Sequence, residues 1–94
     1  MLITAVVTTY KRPELAKRAI NSLLNQSYRD IEIIIVEDGV NTGLDKWIEN
    51  QNYKKIRYHN NKVNKGLSAS RNWAIDNSNG LYIGFLDDDD EWKP

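Results

Sequence analysis

The chain has no cysteine, which rules out a disulfide framework and thiolate metal sites and fits a reducing compartment. It has no net charge: thirteen basic and thirteen acidic side chains cancel, so no global field draws it towards nucleic acid or anionic lipid. Long apolar runs are missing as well. Near the N-terminus the longest is Ala5-Val6-Val7, far too short for a signal-peptide core or a membrane span. Asn25-Gln26-Ser27 matches a glycosylation sequon, which without a secretory signal reads as coincidence. Repeats, low-complexity tracts and linkers are absent too. These absences lead to the expectation of a cytoplasmic domain with no nucleic-acid partner. Its 94 residues make one small domain, and a chain of this size buries roughly 60–68% of its unfolded surface, enough for one core.

What is present alternates. Leu2 to Val7 is apolar and β-branched, the signature of a strand buried on both faces. Pro13 then suits the first turn of a helix, where its missing N–H costs nothing. Leu15, Ala16, Ala19, Ile20, Leu23 and Leu24 follow at helical spacing. Ile31 to Val36 predicts a second buried strand, stopped by Glu37-Asp38-Gly39. Thr42 with Asp45 forms a capping-box pattern ahead of Leu44, Trp47 and Ile48. Ile56 to His59 is a weaker strand. Gly66 to Asn77 predicts a helix with Leu67, Ala69, Ser70, Trp73 and Ala74 inward, closed by Asn79-Gly80. Leu81 to Leu86 is the last strand. Such alternation with short connections predicts an α/β domain with a largely parallel sheet and right-handed crossovers.

In sheets of this kind ligands bind beyond the carboxyl ends of the strands. The polar clusters lie there: Thr8-Thr9-Tyr10, Glu37-Asp38, and Asp87 to Asp90. Each has a plainer reading. Acidic runs are usually solvated faces, Asp38-Gly39 alone is an ordinary turn pair, and Arg71 alone is an ordinary surface cation. Asn64-Lys65-Gly66-Leu67-Ser68 could simply cap a helix, although a helix N-terminus is also a ready anion site. His59, the single histidine, receives no role, and Trp47 and Trp73 fall on helical apolar stripes. Four aspartates at a strand mouth, however, crowd like charges that a cation would relieve. Oxygen-only donors suit a hard ion such as Mg²⁺ or Mn²⁺.

Taken together, "VVTTYKRP", "IIIVEDGV", "NKGLSASRN" and "GFLDDDDEW" resemble, in order and spacing, the N-terminal half of family 2 glycosyltransferases of the GT-A fold. The resemblance covers nearly the whole chain and implies a Rossmann-like sheet in the order 3-2-1-4, with helices on both faces, cut from a larger GT-A domain. Residues 1–94 would be the half that binds a nucleotide-diphospho-sugar donor, with a uridine nucleotide expected. By motif, Thr9 and Tyr10 would line the nucleoside pocket, Asp38 would accept from the base, and Arg71 would contact the base or its neighbours. The D-x-D element falls on Asp87, Asp88 and Asp89, although four aspartates admit a neighbouring register. Asp89 would take the Mn²⁺ or Mg²⁺, with Asp87 or Asp88 near the ribose.

The resemblance further implies an inverting transfer to a saccharide or lipid-linked acceptor, with the full-length protein in the cytoplasm or at the cytoplasmic face of a membrane. No residue of this chain matches the general base, which the family carries further along with the acceptor site. These residues are then a piece of a longer enzyme or a naturally short donor-binding domain. A chain of this extent is expected to be inactive alone and to self-associate along its fourth strand or over that strand's adjacent face. Two other classes stay open: a non-catalytic sugar-nucleotide and metal-binding module, and a Ca²⁺-binding structural domain. Against the second, EF-hand spacing is absent.

Overall fold

The computed structural model describes residues 2–25, 30–39, 41–51, 55–63, 65–80 and 82–87. Strands and helices alternate along them: β1 (Ile3–Thr9), α1 (Pro13–Leu24), β2 (Ile31–Glu37), α2 (Leu44–Asn50), β3 (Ile56–Asn60), α3 (Leu67–Asn77) and β4 (Tyr82–Asp87). The strands form one parallel sheet in the order β3-β2-β1-β4. This is the expected Rossmann-like arrangement, and its cause lies in the strands. β1 and β2 sit centrally and bury residues on both faces, so they read as continuous apolar runs.

The two faces carry separate cores. On one, Ala16, Ala19, Ile20 and Leu23 of α1 and Leu44 and Ile48 of α2 pack on Ala5, Val7, Ile33, Ile35 and Leu86. On the other, Ala74 and Trp73 of α3 pack on Val6, Ile34, Val36 and Ile83. The crossover through α3 carries the chain from the β3 edge to the far side of β1. The strand order therefore reverses between β1 and β4, the place where such sheets open a crevice at their carboxyl ends. Register aligns those ends: Thr9 pairs with Glu37, Glu37 with Asn60, and Thr8 with Asp87.

Three local expectations change. Thr42 does not cap α2: its hydroxyl donates to Glu37 at 2.5 Å, and the N-cap residue is Gly43, with φ 88 and no side-chain cap bond. A buried carboxylate binds a hydroxyl more strongly than an exposed helix end does, so it wins the competition. Asn79-Gly80 is not a left-handed helix stop. α3 ends at an extended Ser78, and Gly80 instead donates its N–H to Thr4 Oγ1 at 2.9 Å. A Cβ at Gly80 would lie 2.4 Å from that oxygen, so close approach is what the glycine provides. Leu67, expected inward, is the first residue of α3 and is 49% exposed. Pro13 does occupy the first turn of α1. His59 stacks on Trp73 with ring centroids 3.8 Å apart.

Candidate functional site

Asp38 follows directly after β2 and is almost completely buried. Its main-chain N–H donates to Thr9 O at 2.9 Å, which ties the ends of β1 and β2 together. Its carboxylate collects three donors from distant parts of the chain. Oδ1 accepts from Asn61 Nδ2 at 2.9 Å and from the Lys65 amide at 2.8 Å, and Oδ2 accepts from the Gly66 amide at 2.8 Å. Asn61 is itself buried and also donates to Ser70 Oγ at 3.0 Å, linking the end of β3 to α3. Burial works to raise the Asp38 pKa. The Lys65 amide, the Asn61 side chain and the Gly66 amide, helped by the Lys65 charge, outweigh it and hold the carboxyl below its ordinary 3.8. The group is a fixed anion.

The backbone ahead of α3 was read as a cap or an anion site. In the structure the anion there is the protein's own Asp38, and α3 has no side-chain cap bond at Gly66. Gly66 has φ 89, a conformation that glycine adopts at little cost. Among the described residues these three bonds do not exhaust the carboxylate: Oδ1 takes two donors and Oδ2 one, which leaves a second lone-pair position at Oδ2.

The other sequence-predicted residues distribute around this point. Thr9 is buried beside Asp38 through the main-chain bond, and Tyr10 stands just beyond it, 42% exposed at the sheet end. Arg71 lies on α3 with its guanidinium 5.2 Å from the Phe85 ring centre, over β4 two residues before the acid run. Asp87 closes β4 in register with Thr8 at the strand-order reversal. Asp88 and Asp89 lie outside the described residues. Among the described residues no group of three or more His, Cys, Asp or Glu could hold a metal. The donor set of the acid run, oxygen alone, still suits a hard divalent cation.

Some polar residues at this end were missed or left without a role. Glu37 was seen only as part of a strand-end cluster, Thr42 only as a helix cap and Ser70 only as an inward helix position, while Asn61 and Tyr58 gave no signal. Their pairings span many residues and leave no local pattern. At the opposite end of the sheet, Leu2, Asp30, Glu32, Lys55, Arg57 and Asn79 line a cleft of about 340 Å³. Its carboxylates already have cations: Lys55 lies 3.6 Å from Asp30 and Arg57 2.8 Å from Glu32.

A parallel sheet with a fixed carboxylate directly after β2 defines an α/β domain of the kind that binds its ligands beyond the carboxyl ends of the strands. Comparison with known proteins makes the assignment specific. The family model described as Glycosyl transferase family 2 matches residues 4–94, and the chain belongs to that family. It is 42% identical over 95 residues to the putative colanic acid biosynthesis glycosyl transferase WcaA of Escherichia coli (strain K12), covering 99% of this chain and 34% of that protein. It is 32% identical over 92 residues to the GalNAc(5)-diNAcBac-PP-undecaprenol beta-1,3-glucosyltransferase of Campylobacter jejuni, covering 95% and 30%. The chain thus spans about a third of the length of these relatives.

Among solved structures, S. aureus TarS 1-349 in complex with UDP-GlcNAc superposes with a TM-score of 0.89 at 24% identity, over 99% of this chain and 28% of that one. The mannosyltransferase PcManGT from Pyrobaculum calidifontis, in complex with GDP-Man and Mn2+, gives 0.87 at 19% identity, over 98% and 28%. These two likenesses establish the shared fold. No described helix is long and apolar enough to cross a membrane.

Proposed function

We propose that residues 1–94 form the donor-binding half of a glycosyltransferase that takes its sugar from a nucleotide-diphospho-sugar, with a uridine diphosphate-sugar as the expected donor. One observation carries this reading: a buried, ionised Asp38 with a lone-pair position to spare, fixed where β1, β2 and the start of α3 meet. Such a carboxylate can accept an N–H from a nucleobase without reorganising. Thr9 and Tyr10 would line the nucleoside pocket, and Arg71 would contact the base or its neighbours. Asp87 or Asp88 would reach the ribose. Asp89 would hold Mn²⁺ or Mg²⁺, and the metal when bound supplies stabilisation of the charge on the departing diphosphate. A saccharide or lipid-linked acceptor and an inverting attack are proposed for the full-length enzyme, acting at the cytoplasm or its membrane face. The general base is assigned to no residue of this chain, so the 94 residues alone are expected to bind donor without transferring sugar.

Titration calorimetry with uridine diphosphate, with and without Mn²⁺, tests the reading. Binding is expected to tighten with Mn²⁺, and Asp89→Asn should erase that difference while leaving metal-free binding in place. Equal affinity in EDTA would remove the metal from the scheme, and failure to bind any nucleoside diphosphate would remove the scheme itself.

The outer edge of β4 carries a second expectation. Among the described residues no strand pairs there, and Tyr82 and Phe85 are 61% and 40% exposed. An open strand edge beside apolar side chains is a template for another chain. Expressed as these 94 residues, the polypeptide is expected to form dimers or larger species at micromolar concentration. Sedimentation velocity showing a clean monomer across that range would refute it.

A further inference from the structure

Glu37 has no part in the nucleotide contacts just described, yet it is wholly buried at the same strand end. Its Oε1 accepts from Tyr58 Oη at 2.5 Å and its Oε2 from Thr42 Oγ1 at 2.5 Å. Both partners are hydroxyls, one from β3 and one from the approach to α2. Burial and the Glu37 carboxylate together push the Tyr58 hydroxyl well above its ordinary pKa of 10.0, so the phenol keeps its proton and remains a donor. Tyr58 Oη in turn accepts from Asn60 Nδ2 at 3.1 Å. The main chain of Glu37 is tied as well. Its carbonyl accepts from the Asn61 N–H at 3.1 Å, and the side chain of that same Asn61 reaches Asp38 Oδ1 at 2.9 Å.

Successive residues of a strand point to opposite faces. Glu37 therefore fastens the end of β2 on the α2 side, while Asp38 gathers Asn61, Lys65 and Gly66 on the α3 side. A carboxylate without solvent exposure cannot shift without stranding its lone pairs, which makes this strand end stiff. We propose that Glu37 is a positioning residue. Held by Tyr58 and Thr42, it sets the place of the Asp38 carboxylate and of the Lys65 and Gly66 amides bound to it. The inference rests on the reading of Asp38 as the carboxylate that faces the nucleotide. It amounts to preorganisation: the acceptor is fixed before the ligand arrives.

Thr42→Val and Tyr58→Phe each remove one donor to Glu37 with little change of shape. Glu32→Gln, which disturbs a polar cluster at the opposite end of the sheet, serves as the comparison. Two quantities are read in each chain: amide hydrogen exchange at Lys65 and Gly66, and the dissociation constant for uridine diphosphate with Mn²⁺. In the Thr42 and Tyr58 variants, exchange at the two amides should quicken by about tenfold or more. The dissociation constant should rise about fivefold or more, through the same loss of preorganisation. Glu32→Gln should lower the melting temperature while leaving both quantities within about twofold, since distant sites act independently. Unchanged protection of Lys65 and Gly66 in both variants overturns the proposal, as does unchanged affinity in a chain that binds uridine diphosphate. If the unsubstituted chain does not bind the nucleotide, it is the nucleotide reading that fails, and faster exchange still supports the hold of Glu37 on Asp38.

Discussion

Replacing Glu32 by alanine is expected to lower the melting temperature by on the order of 15 °C. Glu32 lies on β2 at the amino end of the sheet and is 7% exposed. Oε2 accepts from Thr4 Oγ1 at 2.8 Å and from the Asn79 N–H at 3.0 Å. Oε1 accepts from Arg57 Nη2 at 2.8 Å and from Asn79 Nδ2 at 2.9 Å. One carboxylate thus joins β1, β2, β3 and the turn into β4. Truncation leaves the fully buried Thr4 hydroxyl and the Asn79 amide without their acceptor. Losing charged hydrogen bonds and stranding donors costs about 3 kcal/mol. In a domain of this size each kcal/mol is worth roughly 4–8 °C. The half-exposed Arg57 adds little, because solvent screens it.

The same cluster fixes a pH dependence. Burial tends to raise the Glu32 pKa, but the Asn79 N–H, Thr4, the Asn79 side chain and Arg57 together hold it below its ordinary 4.5. A depressed carboxyl contributes stability that is present above the unfolded pKa and lost as pH falls through the folded one. The unsubstituted chain should therefore lose stability below about pH 4.5 more steeply than Glu32→Gln does. Thermal melts at neutral pH and near pH 3 measure both effects. Parallel acid limbs in the two proteins would show that Glu32 is not the titrating group.

How far the sequence alone reached follows from what a local pattern can hold. The strands were legible because β1 and β2 are covered on both faces and must be apolar throughout. α1 was legible because Pro13 and the apolar stripe from Ala16 to Leu23 agree. The sheet order and the ligand-binding end came from the resemblance, together with the polar residues that follow each strand. Glu32 was invisible by the same logic. One glutamate within Ile31-Glu32-Ile33 looks like a solvated position, and its partners lie 25 to 47 residues away. The Thr42 capping box was misread because nothing local reveals that Glu37 is buried and needs donors. Asp38 was singled out for a ligand contact, yet the bonds that hold it come from 23 to 28 residues further along. Polar pairing between distant segments is decided by the fold, and it is where sequence reasoning ended.

Asp38→Ala should damage both fold and binding, and Asp38→Asn separates the two contributions. With alanine, the Lys65 and Gly66 amides lose their acceptor and Asn61 keeps only Ser70. The loop ahead of α3 is then released, at a cost of about 3 kcal/mol. If Asp38 also accepts from the base, the variant loses a charged hydrogen bond of about 1.5–3 kcal/mol. That corresponds to an affinity loss on the order of 10- to 100-fold. Asparagine keeps an oxygen for Asn61 and Lys65 but sets an amide N–H₂ against the Gly66 N–H, and it removes the acceptor position a base would use. Asp38→Asn is therefore expected to hold most of the fold and still bind uridine diphosphate nearly as poorly as alanine does. Because the Asp38 carboxyl is held below 3.8, its charge is complete well under neutrality. Binding through it should then stay flat between about pH 5 and pH 8, where an ordinary histidine would titrate. Calorimetry at a temperature below the melting point of every variant decides the matter. Wild-type affinity in Asp38→Asn would confine Asp38 to holding the loop, and the nucleobase would have to find its acceptor elsewhere at this sheet end.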